Sequence, residues 1–245
     1  AALSTPVMLL IMAVASLAAG ALWGIIPAIF KARWGTNETL FTLMMNYVAI
    51  QITSYCVALW ENPFGSNTVG VINQQTKLGW FPKLLGSDFT LNVILVLLLT
   101  VGMYLYLKYS KQGYEISVLG ESERTARYAG IKPARVFVRT MAISGAICGL
   151  AGFIAVAGAS HTISTSTAGG RGFTAIIVAW LAKFNTFVML LISFLLVFLE
   201  KGAVQIATDF KLNDFASNVI TGIILFFIIG SEFFINYRMI IRRKK

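Results

Sequence analysis

The sequence predicts an all-α, polytopic integral membrane protein, with about five full spans and a broken pair of short helices. Three observations predict it. Hydrophobic residues make up 57% of the 245 residues and charged residues only 12%, against about 25% charged in a typical soluble domain. The mean hydropathy is +0.77. The apolar residues fall into separate blocks near the roughly 20 residues that a helix needs to cross a bilayer, without the alternating ten-residue strands of a membrane barrel.

In chain order, the apolar blocks predict spans at 6–29, 39–59, 89–107, 136–158 and 216–237. Small residues crowd two of them: Ala13, Ala15, Ala18, Ala19, Gly20, Ala21 and Gly24 in the first, and Gly145, Gly149, Ala151 and Gly152 in the fourth. Such faces let helices approach closely; lining a translocation path is the alternative reading. The stretch 172–200 is interrupted by Lys183-Phe184-Asn185. It reads as two short helices, 172–182 and 186–200, that turn on the inner side.

Charge orients the chain, because Lys and Arg concentrate in cytoplasmic loops. With Lys31 and Arg33 inside, the loop 108–135 is also inside, and it carries Lys108, Lys111, Arg124, Arg127, Lys132 and Arg135. Residues 60–88 are outside, and their Gly, Pro, Trp and Phe read as an ordered loop with interfacial anchors. A break at Lys183 returns Arg242-Arg243-Lys244-Lys245 to the inside. All but Lys77, Lys83, Arg171, Lys201 and Lys211 of the 20 basic residues are then cytoplasmic. The net charge of +10 is thus a topology signal and not a nucleic-acid surface, and the tail is placed to touch anionic membrane lipid.

The loop segment Leu119-Gly-Glu-Ser-Glu-Arg-Thr-Ala-Arg-Tyr-Ala-Gly-Ile131 is too polar to cross a bilayer. Residues around Thr125–Ala129 predict a helix of about two turns, closed by Gly130 with positive φ. Such an element can dock a soluble partner, or it is a solvated connector.

Several chemistries are not signalled. Cys56 and Cys148 lie within apolar blocks at no metal-ligand spacing, His161 is the single histidine, and no Walker A loop is present. No cofactor is expected in this chain, and the sequence does not read as an enzyme. Gly169-Gly170-Arg171-Gly172 is glycine-rich without the phosphate-loop pattern; it reads as a break before a half-helix. Glu232 is the one acid expected within a span, with Arg238 near enough to pair with it. Asn46, Tyr47, Gln51 and Ser54 share one broad face of the second span. They read either as interhelix hydrogen-bonding groups or as part of a substrate path, with Gly172 and Phe173 at its external mouth. There is no basic leader with a cleavage site, and the chain begins at Ala1 close to a span.

Four stretches carry a family likeness. They are Gly20-Ala-Leu-Trp-Gly-Ile-Ile-Pro27 with Lys31-Ala-Arg33, and Asn37-Glu38 with Thr42-Leu-Met-Met-Asn-Tyr47. Gly120 through Arg127-Tyr-Ala-Gly-Ile131 follows, with Ser144-Gly-Ala146 and Gly149-Leu-Ala-Gly152. The last is Gly170-Arg-Gly-Phe173 through Val178-Ala-Trp-Leu181. In this order they resemble the permease subunits of bacterial ABC importers in the ribose and branched-chain amino acid permease superfamily, nearest to nucleoside and simple-sugar permeases. The chain departs from the family at Glu121-Ser122-Glu123, where Ala-Asn-Pro is usual. It departs again at Leu181-Ala182 and Asn185-Thr186, where Leu-Gly and Asn-Pro are common.

The resemblance implies a single permease domain over 1–245, with the family's N-terminal spans lying outside this sequence, in a bacterial cell membrane. It implies partners: a cytoplasmic ABC ATPase, a second permease subunit, and a substrate-binding lipoprotein or periplasmic protein. The loop 108–135 then couples to the ATPase through Glu121, Arg124, Ala126, Arg127, Tyr128, Ala129 and Gly130. Nucleosides or simple sugars are the implied substrates. A branched-chain amino acid permease is the alternative within the superfamily; an ion-coupled secondary transporter would need more intramembrane acids than Glu232.

Overall fold

A computed structural model describes residues 5–82, 86–87, 89–212 and 214–236, with backbone alone for 214, 216–218, 229 and 232–236. The chain divides into two compact units, Ala1–Gly169 and Gly170–Lys245. The first holds α1 (Thr5–Trp34), α2 (Glu38–Trp60), α3 (Thr90–Tyr109), α4 (Lys111–Glu121), α5 (Glu123–Tyr128) and α6 (Pro133–Ala155), which runs on into a π-helical turn, Val156–Ser160. The second holds α7 (Arg171–Leu181), α8 (Thr186–Asp209) and α9 (Asp214–Asn236). Among the described residues there is no strand; an isolated bridge joins Thr68 and Ser164. Among the described residues five helices are long and apolar enough to cross a membrane: α1, α2, α3, α6 with its π turn, and α8. Four of the expected spans are among these five; the fifth is α8, whereas the block expected as a span at 216–237 is helical as far as Asn236 but is not one of them. The chain is a polytopic all-α protein.

The core of the first unit is the α1–α6 pair. Gly20 and Gly24 of α1 face Gly145 and Gly149 of α6. A Cβ at Gly20 would strike the carbonyl of Gly145, one at Gly149 the carbonyl of Ser16, and one at Gly24 the carbonyl of Met141. Contacts run down one helix as they run up the other, so the pair is antiparallel. Both small-residue faces seen in the sequence therefore meet backbone to backbone, where dispersion between closely approaching helices replaces the hydrophobic effect that lipid does not supply. At these glycines the packing reading holds, not the path reading.

At one end of this pair α1 turns into α2 through Gly35, whose φ is +63°. Asn37 caps α2, its Oδ1 accepting from Thr39 N–H at 3.0 Å and Leu40 N–H at 3.3 Å. Lys31 and Glu38 close the turn as an ion pair at 2.7 Å. At the same end, Ser110 both ends α3 and starts α4. Its hydroxyl donates to Tyr106 O at 2.6 Å and accepts from Gly113 N–H at 2.9 Å. Gly113 is buried against the carbonyls of Tyr106 and Leu107, so only glycine fits that corner. Arg139 of α6 reaches back to Glu115 of α4 at 3.0 Å, both half-buried. Helix α4 lies in the segment 108–135 that the sequence predicts as a loop, although Ser110 is a good N-cap residue.

At the other end of α6 the loop after α2 is tied to the segment after α6. Val69 N–H donates to Ile163 O at 3.0 Å, Ile72 N–H to His161 O at 2.9 Å, and Phe81 N–H to Ala157 O at 3.1 Å. Asn92 of α3 donates its Nδ2 to Gly158 O at 2.8 Å. The loop after α2 is thus ordered through backbone pairing, a form the sequence did not signal.

In the second unit the expected break is present, but only one helix of the pair is short. Helix α7 has 11 residues, about 16 Å. Helix α8 has 24 residues, about 36 Å, and is not the 15-residue piece expected at 186–200. The Glu200-Lys201 pair reads as an end in sequence. The apolar pattern nevertheless resumes with buried Ala203 and Ala207, and the helix continues until Lys211 takes φ +52°. The expectations for Lys83, for the side chain of Glu232, for Arg238 and for the basic tail lie outside the described residues.

Candidate functional site

The polar segment between α3 and α6 is two helices with a break at Ser122. Ser122 leaves α4 by donating its N–H to Val118 O at 3.1 Å. It then caps α5, its hydroxyl accepting from Thr125 N–H at 3.3 Å. Glu121 therefore ends α4 and is not on α5, which carries Arg124, Ala126, Arg127 and Tyr128, with Ala129 as its cap and Gly130 just beyond.

Helix α5 is six residues long, and its end is strongly determined. Gly130 has φ +76°. Gly130 N–H donates to Arg127 O and Ile131 N–H to Ala126 O, each at 3.0 Å. These are the two bonds of a Schellman motif, which asks for a left-handed residue at the position Gly130 holds. The chain then enters α6 at once through Pro133, at a position where proline's missing N–H costs nothing.

The two faces of α5 are sharply different. Ala126 is 0% exposed. Tyr128 is 94% exposed, a large aromatic ring with almost no cover. Arg124, four residues before Tyr128 and so on its face, is also exposed. Arg127 is held by Glu123 at 2.6 Å; an exposed pair of this spacing contributes only about 0.3–0.5 kcal/mol. Ala129 is the exposed cap residue. Tyr128 and Arg124 therefore form a presented surface on a short helix whose flanks are fixed to α4 and α6.

The polar residues of α2 are also on one side. Tyr47 and Gln51, with Val48, Ile52 and Tyr55, line an open cleft of about 460 Å3. Asn46 is exposed beside it. Ser54 does not line the cleft, and its hydroxyl donates to Ile50 O of its own helix at 2.9 Å.

Gly172 and Phe173 occupy the first turn of α7, after Gly169 and Gly170, which have φ +52° and +72°. No side chain caps this helix. Phe173 N–H is not available to a ligand as its place in the first turn suggested, because it donates to Gly170 O at 2.9 Å. The α2 residues and the α7 residues belong to different compact units. At the far end of α7, Lys183 and Phe184 are both left-handed, with φ +48° and +60°. Asn185 then caps α8, its Oδ1 accepting from Phe187 N–H at 3.1 Å and Val188 N–H at 3.4 Å.

Among the described residues no group of three or more His, Cys, Asp or Glu is placed to hold a metal ion.

Five span-length helices among the described residues, with the short polar helices α4 and α5 set between the spans α3 and α6, define a multi-pass α-helical membrane protein. The chain belongs to the family described as branched-chain amino acid transport system / permease component, which matches residues 1–229. It is 31% identical over 218 residues to a guanosine ABC transporter permease protein of Bacillus subtilis, covering 87% of this chain and 62% of that one. It is 27% identical to a glucose ABC transporter permease protein of Haloferax volcanii, covering 94% and 63%. It is also 27% identical to a nucleoside ABC transporter permease protein of Lactococcus lactis subsp. cremoris, covering 85% and 60%. The chain spans about three fifths of the length of these curated relatives. No solved structure gives a significant match.

Proposed function

We propose that this chain is the permease subunit of an ATP-driven ABC importer for nucleosides or simple sugars. It contributes the translocation path and takes its energy from separate cytoplasmic ATPase subunits. The observation that carries the reading is Tyr128, bare on a helix that is buried on its other side at Ala126 and locked to α6 at Gly130. A ring so exposed gains most from insertion into a partner's cleft. Because Ile131 is followed within two residues by the start of α6, displacement of α5 moves a membrane span as a rigid body. Three relatives named for nucleoside or sugar transport support the substrate class.

In this reading 108–135 is cytoplasmic and 60–88 extracytoplasmic. Glu121, Arg124 and Tyr128 meet the ATPase, while Ala126, Ala129 and Gly130 set the position of the ring. Asn46, Tyr47, Gln51 and Ser54 are the candidate path residues on α2, and Gly172 and Phe173 are the candidate path residues at the start of α7. A second permease subunit covers apolar helix surface that is bare in the single chain, and a binding lipoprotein or periplasmic protein delivers substrate.

The test is co-purification and transport. The permease is expressed with its ATPase and reconstituted, and Tyr128→Ala is compared with the wild type. Loss of ATPase co-purification or of ATP-driven uptake, with membrane insertion intact, is expected. Unchanged assembly and uptake would overturn the docking role. The family description favours branched-chain amino acids as the second reading. Competition of labelled guanosine, glucose and leucine for uptake separates the two.

A further inference from the structure

We propose that the cavity between α4 and the turn joining α5 to α6 binds a phosphate-bearing anion, and that an anionic lipid headgroup is its source. The cavity holds about 230 Å3. A water takes roughly 30 Å3 of liquid volume, so the space admits a phosphate group together with its ester oxygens. Three cations line it, Lys111 at the start of α4, Lys132 at the N-cap of α6, and Arg135 in the first turn of α6. None of the three pairs with an acid among the described residues. The one acid in the lining, Glu115, is already held by Arg139, at 3.0 Å. The lining therefore carries an excess of positive charge, three cations against the one carboxylate that Arg139 already holds.

Two further features favour a phosphate. The first turn of α6 lies in the same wall, so the positive end of its helix dipole adds to the same field, although Pro133 has no N–H to offer and those of Arg135 and Val136 are taken by Lys132 O. Ala129, Ile131 and Val136 complete the wall, and give it an apolar side as well as a charged one.

The level of the cavity favours lipid over a free anion. Lys111 follows the last turn of span α3 by two residues. That turn and α4 present Tyr109 and Tyr114, 70% and 65% exposed. Exposed aromatic rings of this kind mark the headgroup region, where basic pockets beside spans take anionic headgroups. Assignment to the inner leaflet rests on the cytoplasmic placement of 108–135 proposed above; the cation cluster does not. Because Ala129, Gly130 and Ile131 form part of the wall, an occupant would brace the end of α5 against α4 and α6.

The full chain is incorporated into vesicles of phosphatidylcholine and phosphatidylglycerol, then released in mild detergent for native mass spectrometry. Wild type is compared with a variant carrying Lys111→Gln, Lys132→Gln and Arg135→Gln, with Arg135→Gln alone, and with Arg33→Gln, which removes a charge at the same end of the unit but outside the cavity. Selective retention of phosphatidylglycerol by the wild type, cut about tenfold or more in the triple variant and unchanged in Arg33→Gln, supports the lipid site. In a second arm, inorganic phosphate is compared with chloride at matched ionic strength. A rise in the unfolding temperature of the wild type but not the triple variant, without lipid retention, assigns the site to a free phosphate. Equal retention by all variants with no phosphate-dependent rise overturns the proposal, as does an equal loss in Arg33→Gln. If the triple variant does not fold, the same comparisons on Arg135→Gln decide. Both arms are run without an ATPase, so their failure is distinct from a failure of the docking role of Tyr128.

Discussion

The indole of Trp80 lies flat on the imidazole of His161, with ring centroids 3.8 Å apart and planes 5° apart. The same indole donates its Nε1–H to Ile72 O at 2.8 Å. His161 is itself held in a left-handed turn at the end of the π-helical segment, with φ +50°. One stacked pair therefore pins the loop after α2 to the end of α6. Trp80→Ala should destabilise the protein by about 2 kcal/mol, from the lost stack and the carbonyl left without its donor. Trp80→Phe keeps a ring on the histidine and should cost about half as much. Thermal unfolding in detergent orders the three proteins; equal midpoints for Ala and Phe would show that the stack contributes nothing.

Glycines on α6 should divide sharply by what a side chain would meet. A Cβ at Gly145 meets the Gly20 backbone, whereas one at Gly152 has nothing within 4 Å. Gly145→Leu should push α1 and α6 apart at a cost of about 1–3 kcal/mol or more. Gly152→Leu should leave the unfolding midpoint of the single subunit unchanged. A reversed order would mean that the two helices do not cross at Gly20 and Gly145.

Gly130 is constrained by backbone conformation and not by space, since no atom lies within 4 Å of its would-be Cβ. Gly130→Ala should cost about 1 kcal/mol and Gly130→Val more, while Gly130→Asn should be nearer neutral, because Asn tolerates the left-handed region. ATPase co-purification should fall in the same order. Normal coupling in Gly130→Val would detach the end of α5 from energy transfer.

The two polar ends of the first unit lie at opposite ends of one span. The loop containing Asn67 pairs with 161–164 beyond the end of α6. Glu121 lies before its start, and Pro133–Ser160 has 28 residues, about 42 Å of helix. In a background lacking Cys56 and Cys148, cysteines at Asn67 and Glu121 should label from opposite sides of the membrane. Labelling from one side would contradict the span.

The α7–α8 break uses Lys183 where a glycine is favoured. Lys183 N–H donates to Trp180 O and Phe184 N–H to Ala179 O, each at 3.0 Å, the same motif that Gly130 closes. A left-handed non-glycine residue costs about 1–2 kcal/mol. Lys183→Gly should raise the unfolding temperature and Lys183→Val should lower it. A drop with glycine would mean that the lysine side chain stabilises the turn more than its backbone strains it.

What the sequence determined by itself is the set of spans and the chemistry at some of their ends. An apolar block of 20 residues has one low-energy form in lipid, a helix that satisfies its own backbone, so the spans at 6–29, 39–59, 89–107 and 136–158 follow from composition alone. Gly130 marks the end of α5 because the conformation needed there excludes most other residues. The same conformation at Lys183 and Lys211 gives no such signal, and α8 was therefore read nine residues short. Tertiary structure decided which small faces meet, since a stripe of glycine fits a neighbouring helix or a path equally well until Gly20 is placed against Gly145. It also decided that Phe173 N–H is taken by its own turn, and that Lys111, Lys132 and Arg135, spread over 25 residues of chain, surround one cavity. Their convergence depends on the corner at Gly113 and the Glu115–Arg139 pair, contacts between segments that no local pattern encodes.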